Sequence, residues 1–309
     1  MLFVVFFVIV FFLTLNAFYW VPPAKFKDET TIKIERGSNL TQISKKLKED
    51  GLIRSQFWFK SFVEIFGGDT AVKAGDYHFE KPISTPTLAW RLSIGKYSLN
   101  PIRVTVPEGL NVRQMSELFA GKFDLFDKEE FIKDALEGYL FPDTYFFLPN
   151  ASSSGVIEKM NAQFGDVITA LQEKIGNSGK SFEDVITMAS LVEEEAHTKE
   201  DRRIISGILW KRLGLGIPLQ VDASFSYVNG KNTYELTLVD LEVDSPYNTY
   251  RNLGLPPTPI SNPGLDSILA ALEPIDSDYL YYLSDLDGNI YYAEDFDGHQ
   301  KNRELYLRK

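Results

Sequence analysis

The chain has 309 residues, 44% hydrophobic and 14% aromatic, enough material for roughly two or three domains with real cores. Its formal net charge of −11 argues against a nucleic acid partner, which requires a basic excess. No cysteine is present, so disulfides, thiolate chemistry and cysteine-based metal sites are excluded.

Leu2 to Val21 is almost wholly apolar, interrupted by Thr14 and Asn16, and it ends in Tyr19 and Trp20. The run has about the length needed to cross a bilayer, and its terminal rings favour the membrane interface. It is too long for a signal-peptide core, lacks a basic start and has no small-residue cleavage site before Pro22. We expect an uncleaved single-pass anchor over residues 1–21. Lys25 and Lys27 follow the run and no Lys or Arg precedes it, which taken alone places the body in the cytoplasm.

After a short linker, Thr31–Glu35 alternates as a strand, Gly37 turns the chain, and Leu40, Ile43, Leu47 and Leu52 mark a helix ending near Gly51. Phe57–Phe66 reads as an apolar helix, Ala74–Phe79 as a strand and Thr87–Leu92 as a short helix. A second copy of the strand and turn follows at Arg103–Gly109. Gly37, Asn39, Gln42 and Ser44 match Gly109, Asn111, Gln114 and Ser116 at one fixed offset, so a small α+β unit is duplicated. Such modules bind a ligand or simply pack together.

Glu137-Gly-Tyr-Leu-Phe-Pro-Asp-Thr-Tyr145 is dense in aromatics around a Pro-Asp turn. Rings of this kind stack on sugars when exposed and fill cores when not. Val156–Ile175 is a helix ending at a Gly-rich turn, and Ser181 can cap the next one.

That next helix carries Met188-Ala-Ser-Leu-Val-Glu-Glu-Glu-Ala-His197. Apolar residues recur at helical spacing from Asp184 to Arg212 with one glycine, Gly207, and no proline, which predicts a single helix. About 100° per residue from Val192 sets Glu194 in water, with Glu193 and Glu195 on the shoulders of the apolar stripe. Half burial raises a carboxyl's pKa toward that of a general acid near neutral pH, although a Glu run is commonly just a solvated face. Beyond the helix, Gln220 and Asp222 share one face if their segment is extended. Ser245–Tyr250 and Gly254–Gly264 read as rigid loops, Leu265–Leu272 as a helix, and Tyr279–Leu283 with Asn289–Tyr292 as a hairpin.

Five segments together, Glu-Gly-Tyr-Leu-Phe-Pro-Asp-Thr-Tyr, Met-Ala-Ser-Leu-Val-Glu-Glu-Glu-Ala, Leu-Gln-Val-Asp-Ala-Ser, Ser-Pro-Tyr-Asn-Thr-Tyr and Gly-Leu-Pro-Pro-Thr-Pro-Ile-Ser-Asn-Pro-Gly, stand in this order behind one apolar run. This arrangement resembles the endolytic murein transglycosylases of the YceG-like (MltG) family over essentially the whole chain. The resemblance implies an α+β fold with a single N-terminal transmembrane helix over 1–21, a LysM-like α+β module over 22–100 and a second small module with an aromatic-rich connection over 101–150. A catalytic domain then fills 151–309. It implies a body outside the cytoplasm, held at the cell membrane, that cuts nascent peptidoglycan strands beside peptidoglycan synthases, and so opposes the charge reading above.

The family motif puts the catalytic glutamate at Glu195, with Glu193 in support; Glu194 stands where a lysine is often found. Gln220, Asp222, Tyr247, Asn248 and Tyr250 fall near the cleft by motif match. The chemistry needs no cofactor and no metal, and one acid/base residue suffices because the muramyl 6-hydroxyl of the substrate replaces the second carboxylate and the water. A hydrolytic muramidase would need a second carboxylate, for which Asp222 is the candidate. A metal enzyme is disfavoured because Glu194-x-x-His197 is half of a di-metal pattern with no second copy. A non-catalytic wall-binding scaffold would have no use for Glu195.

Overall fold

In the computed structural model, residues 20–68, 71–98, 101–231 and 235–307 are described, together with Phe3. The expected anchor lies almost entirely outside these residues, and no helix among those described is long and apolar enough to cross a membrane. The fold is mixed α+β, with eleven α-helices and three two-stranded sheets among the described residues. These residues form two compact units, one drawn from 1–102, 121–126 and 146–152, the other from 103–120, 127–145 and 153–309.

The first unit runs β1 (Thr30–Ile34), α1 (Leu40–Glu49), α2 (Gln56–Gly67), β2 (Gly75–Phe79) and α3 (Thr85–Ile94). β1 and β2 pair antiparallel with Ile32 opposite Tyr77. Alternate residues Ile32, Ile34, Tyr77 and Phe79 are buried, and with Leu47, Phe59, Val63, Leu88 and Leu92 they make one core. The Tyr77 hydroxyl, carried into that core, donates to the Lys73 carbonyl at 2.7 Å, which relieves its burial.

The second unit continues through β3 (Ile102–Thr105), α4 (Val112–Phe119), α5 (Lys128–Asp134), β4 (Thr144–Phe147) and α6 (Ser153–Asn177). The matched residues of the two copies do the same local work in each. Gly37 and Gly109 both take a left-handed turn, at φ 82° and 81°. Asn39 with Gln42, and Asn111 with Gln114, each close a reciprocal capping box. The strands then differ in partner, since β1 pairs with β2 and β3 with β4.

The core of the second unit is α7 (Phe182–Glu195). Ser181 caps it by accepting from the Asp184 amide, and every residue from Val185 to Glu193 is buried. A helix buried on all sides is a central one. α8 (Lys199–Gly214) packs on it, followed by α9 (Ala223–Asn229), and α10 (Leu265–Leu272) lies against both α7 and α8. The hairpin β5 (Tyr281–Ser284) and β6 (Ile290–Ala293) and a final helix α11 (Phe296–Tyr306) complete the chain.

The single helix expected over Asp184–Arg212 is therefore two. Ala196 is extended, at φ −147° and ψ 149°, and Thr198 caps α8 by accepting from the Asp201 amide at 3.1 Å. Apolar spacing carries across the break because α7 and α8 turn their apolar faces to one core, so periodicity alone does not reveal it. Gly207, the glycine within that pattern, has a packing cause. A Cβ there would sit 2.0 Å from the Ile275 carbonyl oxygen, where the 273–275 segment crosses α8. Two hydrogen bonds of Arg203 fix that crossing: its carbonyl accepts from the Ile275 amide at 2.9 Å and its Nε donates to the Glu273 carbonyl at 2.8 Å.

Candidate active site

The three glutamates occupy the last turn of α7, a helix C-terminus with no basic residue in that turn. Carbonyl groups left without intrahelical partners give this end partial negative charge, so three carboxylates there oppose the macrodipole. Each glutamate meets a different environment.

Glu193 is buried, more deeply than the shoulder position its spacing predicts. One carboxylate oxygen accepts from Arg202 Nη2 at 2.6 Å and the other from the Gly264 amide at 2.8 Å. Arg202 Nε also donates to the Ala196 carbonyl at 3.0 Å, so one guanidinium holds both Glu193 and the chain just past the end of α7. Within α7, Ser190 accepts from the Ile260 amide at 3.1 Å, and its carbonyl accepts from Ser261 Oγ. The Pro-rich loop is thereby clamped along α7. Asn262 in the same loop accepts from the Leu140 amide and donates to Glu137, whose carboxyl also accepts from the Val112 amide. Burial pushes Glu137 up to about 8, against the pull of those two donors. These contacts give the Glu137–Tyr145 and Gly254–Gly264 motifs a structural cause, namely fixing the loops around the end of α7.

Glu194 is exposed, as its spacing predicts, yet it lines the same cleft as Glu195. Partial desolvation and the charge of Glu193 nevertheless push its carboxyl up to about 7. The turn at Gly109 comes so close that a Cβ there would stand 2.6 Å from Glu194 Oε1. Glycine is favoured at that point by its left-handed φ, while the tip of the Glu194 side chain could swing away from a Cβ.

Glu195 is half-buried in the wall of a cleft of about 970 Å³. Its Oε2 accepts from the Tyr282 hydroxyl at 3.0 Å. Burial pushes the carboxyl up to about 7, the charges of Asp222 and Glu194 push the same way, and hydrogen bonds from Tyr282 and the Ala223 amide pull it back. The group is therefore poised between its two protonation states near neutral pH.

Asp222 and Gln220 line the cleft too, though not on an extended strand. Gln220 takes a left-handed φ of 52°, a strained conformation for a residue with a side chain. Its amide donates to the Thr249 carbonyl, and its side-chain oxygen accepts from Arg212 Nη2 at 2.7 Å. Asp222 starts α9 in helical geometry, and the Tyr250 hydroxyl donates to its Oδ1 at 2.5 Å. Burial raises the Asp222 carboxyl while that bond opposes the rise. Tyr250 itself lines the cleft.

Tyr247 and Asn248 lie off the cleft wall. The Asn248 side chain is fully buried and donates to the carbonyls of Leu241 and Val243 while accepting from the Tyr250 amide, so it shapes the loop that presents Tyr250. The Tyr247 hydroxyl bonds Thr258 at 2.8 Å, and its ring packs on Tyr227. Among the cleft residues that escape sequence reasoning are Arg212, Tyr281 and Tyr282. The two tyrosines sit in the predicted hairpin, where aromatic residues are expected simply as strand formers.

A sequence profile described as the YceG-like family matches residues 32–305. The endolytic murein transglycosylase of Bacillus subtilis strain 168 is 33% identical over 91% of this chain and 86% of its own length. That of Streptococcus pneumoniae D39 is 30% identical over 90% of this chain and 58% of its own length. Among solved structures, the yceG-like protein lmo1499 of Listeria monocytogenes aligns with a TM-score of 0.59 at 32% identity, covering 89% of this chain and 99% of that one. A profile match over most of the length, together with relatives of this identity and coverage, establishes that the chain belongs to the YceG-like family.

Proposed function

We propose that the protein is an endolytic peptidoglycan lytic transglycosylase in which Glu195 protonates the glycosidic oxygen between MurNAc and GlcNAc. As that bond breaks, the muramyl 6-hydroxyl closes on the anomeric carbon and gives its proton to the same carboxylate, leaving a 1,6-anhydro-MurNAc end. Glu195 itself carries this reading: a cleft-wall carboxyl pushed up to about 7 and oriented by the Tyr282 hydroxyl. The names of the relatives, endolytic murein transglycosylases, agree with it. Glu193 supports through Arg202, while Gln220, Asp222 and Tyr250 meet the sugar chain, with Asn248 and Tyr247 holding the loop behind them.

The rest of the chain fits the same role. Residues 1–21 anchor the protein as a single membrane span, and 22–100 form a LysM-like module that holds glycan. Residues 101–150 add the second copy and its connection, and 151–309 carry the catalytic part. The body lies outside the cytoplasm beside peptidoglycan synthases, where cuts within new strands end their elongation. The apolar run at the start and the repeated turn-and-cap pattern support this arrangement.

A muramidase is the second reading, because Asp222 lines the same cleft and its charge acts on Glu195. Mass spectrometry of digested, uncrosslinked glycan separates the two. The anhydro product, one water lighter, is expected. A reducing end that takes label from heavy-oxygen water would transfer the protein to the muramidases.

The Tyr282 contact tunes a pH dependence that burial sets. Glu195 must be protonated to act as the acid, so kcat/KM falls as pH rises through its pKa. The hydroxyl donates to the charged carboxylate and so lowers that pKa. Tyr282→Phe removes the donor, and the alkaline limb of the pH profile is expected to move to higher pH, by about one unit for a hydrogen bond to a charged group. A limb that stays in place, or moves to lower pH, would show that Tyr282 does not tune Glu195.

A further inference from the structure

The cleft also has a basic part. Arg212, His299 and Arg303 line it, in a chain whose net charge is −11. His299 and Arg303 stand one turn apart on α11. His299 stacks on the Tyr281 ring at 5.4 Å between centroids, and the Arg212 guanidinium carbon lies 5.4 Å from that ring's centroid. Two basic side chains thus flank one aromatic ring, and Arg303 acts on His299 from one turn along α11. His299 binds a proton less readily than an ordinary histidine, first through burial and then through the charges of Arg303 and Arg212.

The cluster has no ion-pair partner among the described residues, although Arg212 donates to the Leu219 carbonyl and to Gln220 Oε1. Among them no carboxylate stands within ion-pair distance of Arg212 or Arg303, and Arg212 Nε and His299 Nδ1 are buried without a hydrogen-bond partner. Of the other carboxylates lining the cleft, Glu194 and Asp287 make no ion pair with the cluster, and Asp285 and Asp201 are engaged elsewhere. Asp285 accepts from Asn289 and Tyr291, and Asp201 from Tyr292 and Thr198. A concentration of positive charge in a concave, partly dry site favours an anion. The cluster also begins next to the proposed chemistry, because Arg212 acts electrostatically on Tyr282, which bonds Glu195.

We propose that the Arg303–His299–Arg212 part of the cleft is a subsite for an anionic substituent of the glycan strand, a stem-peptide carboxylate. This rests on the reading that the cleft takes glycan. The sugars of the strand are neutral, and its anions are the carboxylates of the peptides on the muramyl lactyl groups and the pyrophosphate of a lipid-linked end. A peptide is attached at each muramyl residue, so any internal cut brings one close to the scissile bond. The pyrophosphate occurs once, at a terminus away from an internal cut. Arg303, exposed on α11, would form the direct contact, with Arg212 and His299 supplying the field behind it.

The test uses the full chain and four peptide-bearing glycan preparations of matched length: stem-peptide carboxylates either free or amidated, each either lipid-pyrophosphate-linked or released. Binding is read by fluorescence anisotropy in a Glu195→Gln background, and kcat/KM is read in the active protein. Strands with free stem-peptide carboxylates are expected to bind about tenfold more tightly than amidated ones, the size of a charge-assisted contact, with or without the pyrophosphate. Arg303→Gln should bring that ratio close to one, and His299→Gln should reduce it partway. Thermal melts of the variants are expected to match the parent because α11 has no buried residue.

A ratio unchanged by Arg303→Gln overturns the proposal, and so does an equal loss on amidated and free-carboxylate strands. An effect confined to pyrophosphate-linked strands also overturns it and assigns the subsite to phosphate. If the binding ratio behaves as expected while no preparation is cleaved, the subsite stands and the transglycosylase reading falls. If every preparation is cleaved while the binding ratio is blind to Arg303, the subsite falls and the transglycosylase reading stands.

Discussion

Glu195→Gln is expected to lower turnover of uncrosslinked glycan by about a thousandfold, within the range that a positioned general acid supplies. The amide keeps an oxygen to accept from Tyr282 but has no proton of suitable acidity to give. The fold of the variant should be intact, because the substitution removes negative charge from a helix end that disfavours it. Glu194→Gln separates the neighbouring possibility. Both carboxyls are pushed up to about 7, but Glu194 is exposed and Glu195 carries the tyrosine contact. Only a small loss is expected from Glu194→Gln. If Glu195→Gln turns over glycan at the parent rate while Glu194→Gln is inactive, the assignment of the acid is wrong by one residue.

The second large effect is on stability. Arg202→Leu deletes one half of a buried ion pair and leaves the Glu193 carboxylate to the Gly264 amide. Removing one partner of such a pair costs about 3–5 kcal/mol, since the other charge stays desolvated. At about 2–4 °C per kcal/mol for a unit of this size, the melting temperature of the variant should fall by roughly 10 °C. The same substitution frees the Ala196 carbonyl and loosens the break between α7 and α8. A melt within a degree or two of the parent would mean that the pair is not what holds this junction.

Where side chains alternate or recur strongly, the sequence is a good guide. β1, β2, α2, α6, α10 and the final hairpin follow from apolar spacing and turn residues, and the paired caps at Asn39 and Asn111 follow from the repeat. α11 cannot be found this way. It has no buried residue, so it leaves no apolar stripe, although it brings His299 and Arg303 to the cleft. The break after Glu195 is hidden for the opposite reason, two helices sharing one core. Glu193, Glu194 and Glu195 are visible as an anomaly, and their spacing anticipates the exposure of Glu194. Their division of labour is not, because it depends on Arg202, Tyr282 and Gly264, which reach them from elsewhere in the chain. Asn248 shows the limit of motif matching: it sits within a recognisable segment, yet its side chain holds backbone behind the wall.

The crowding of acid at the end of α7 makes the site a standing opponent of the fold that houses it. Glu194 and Glu195 each hold a proton more tightly in the native chain than in the unfolded one, where a glutamate titrates at its ordinary value of 4.5. As pH climbs from there toward 7, the unfolded chain releases these protons first, so both groups withdraw stability over that interval. The helix end that keeps a proton available near neutrality is thus least comfortable in the conditions where it works. Arg202 and the clamped loop serve as ballast, and on the proposed role of Glu195 a sequence relieved of this tension there would be sturdier and idle.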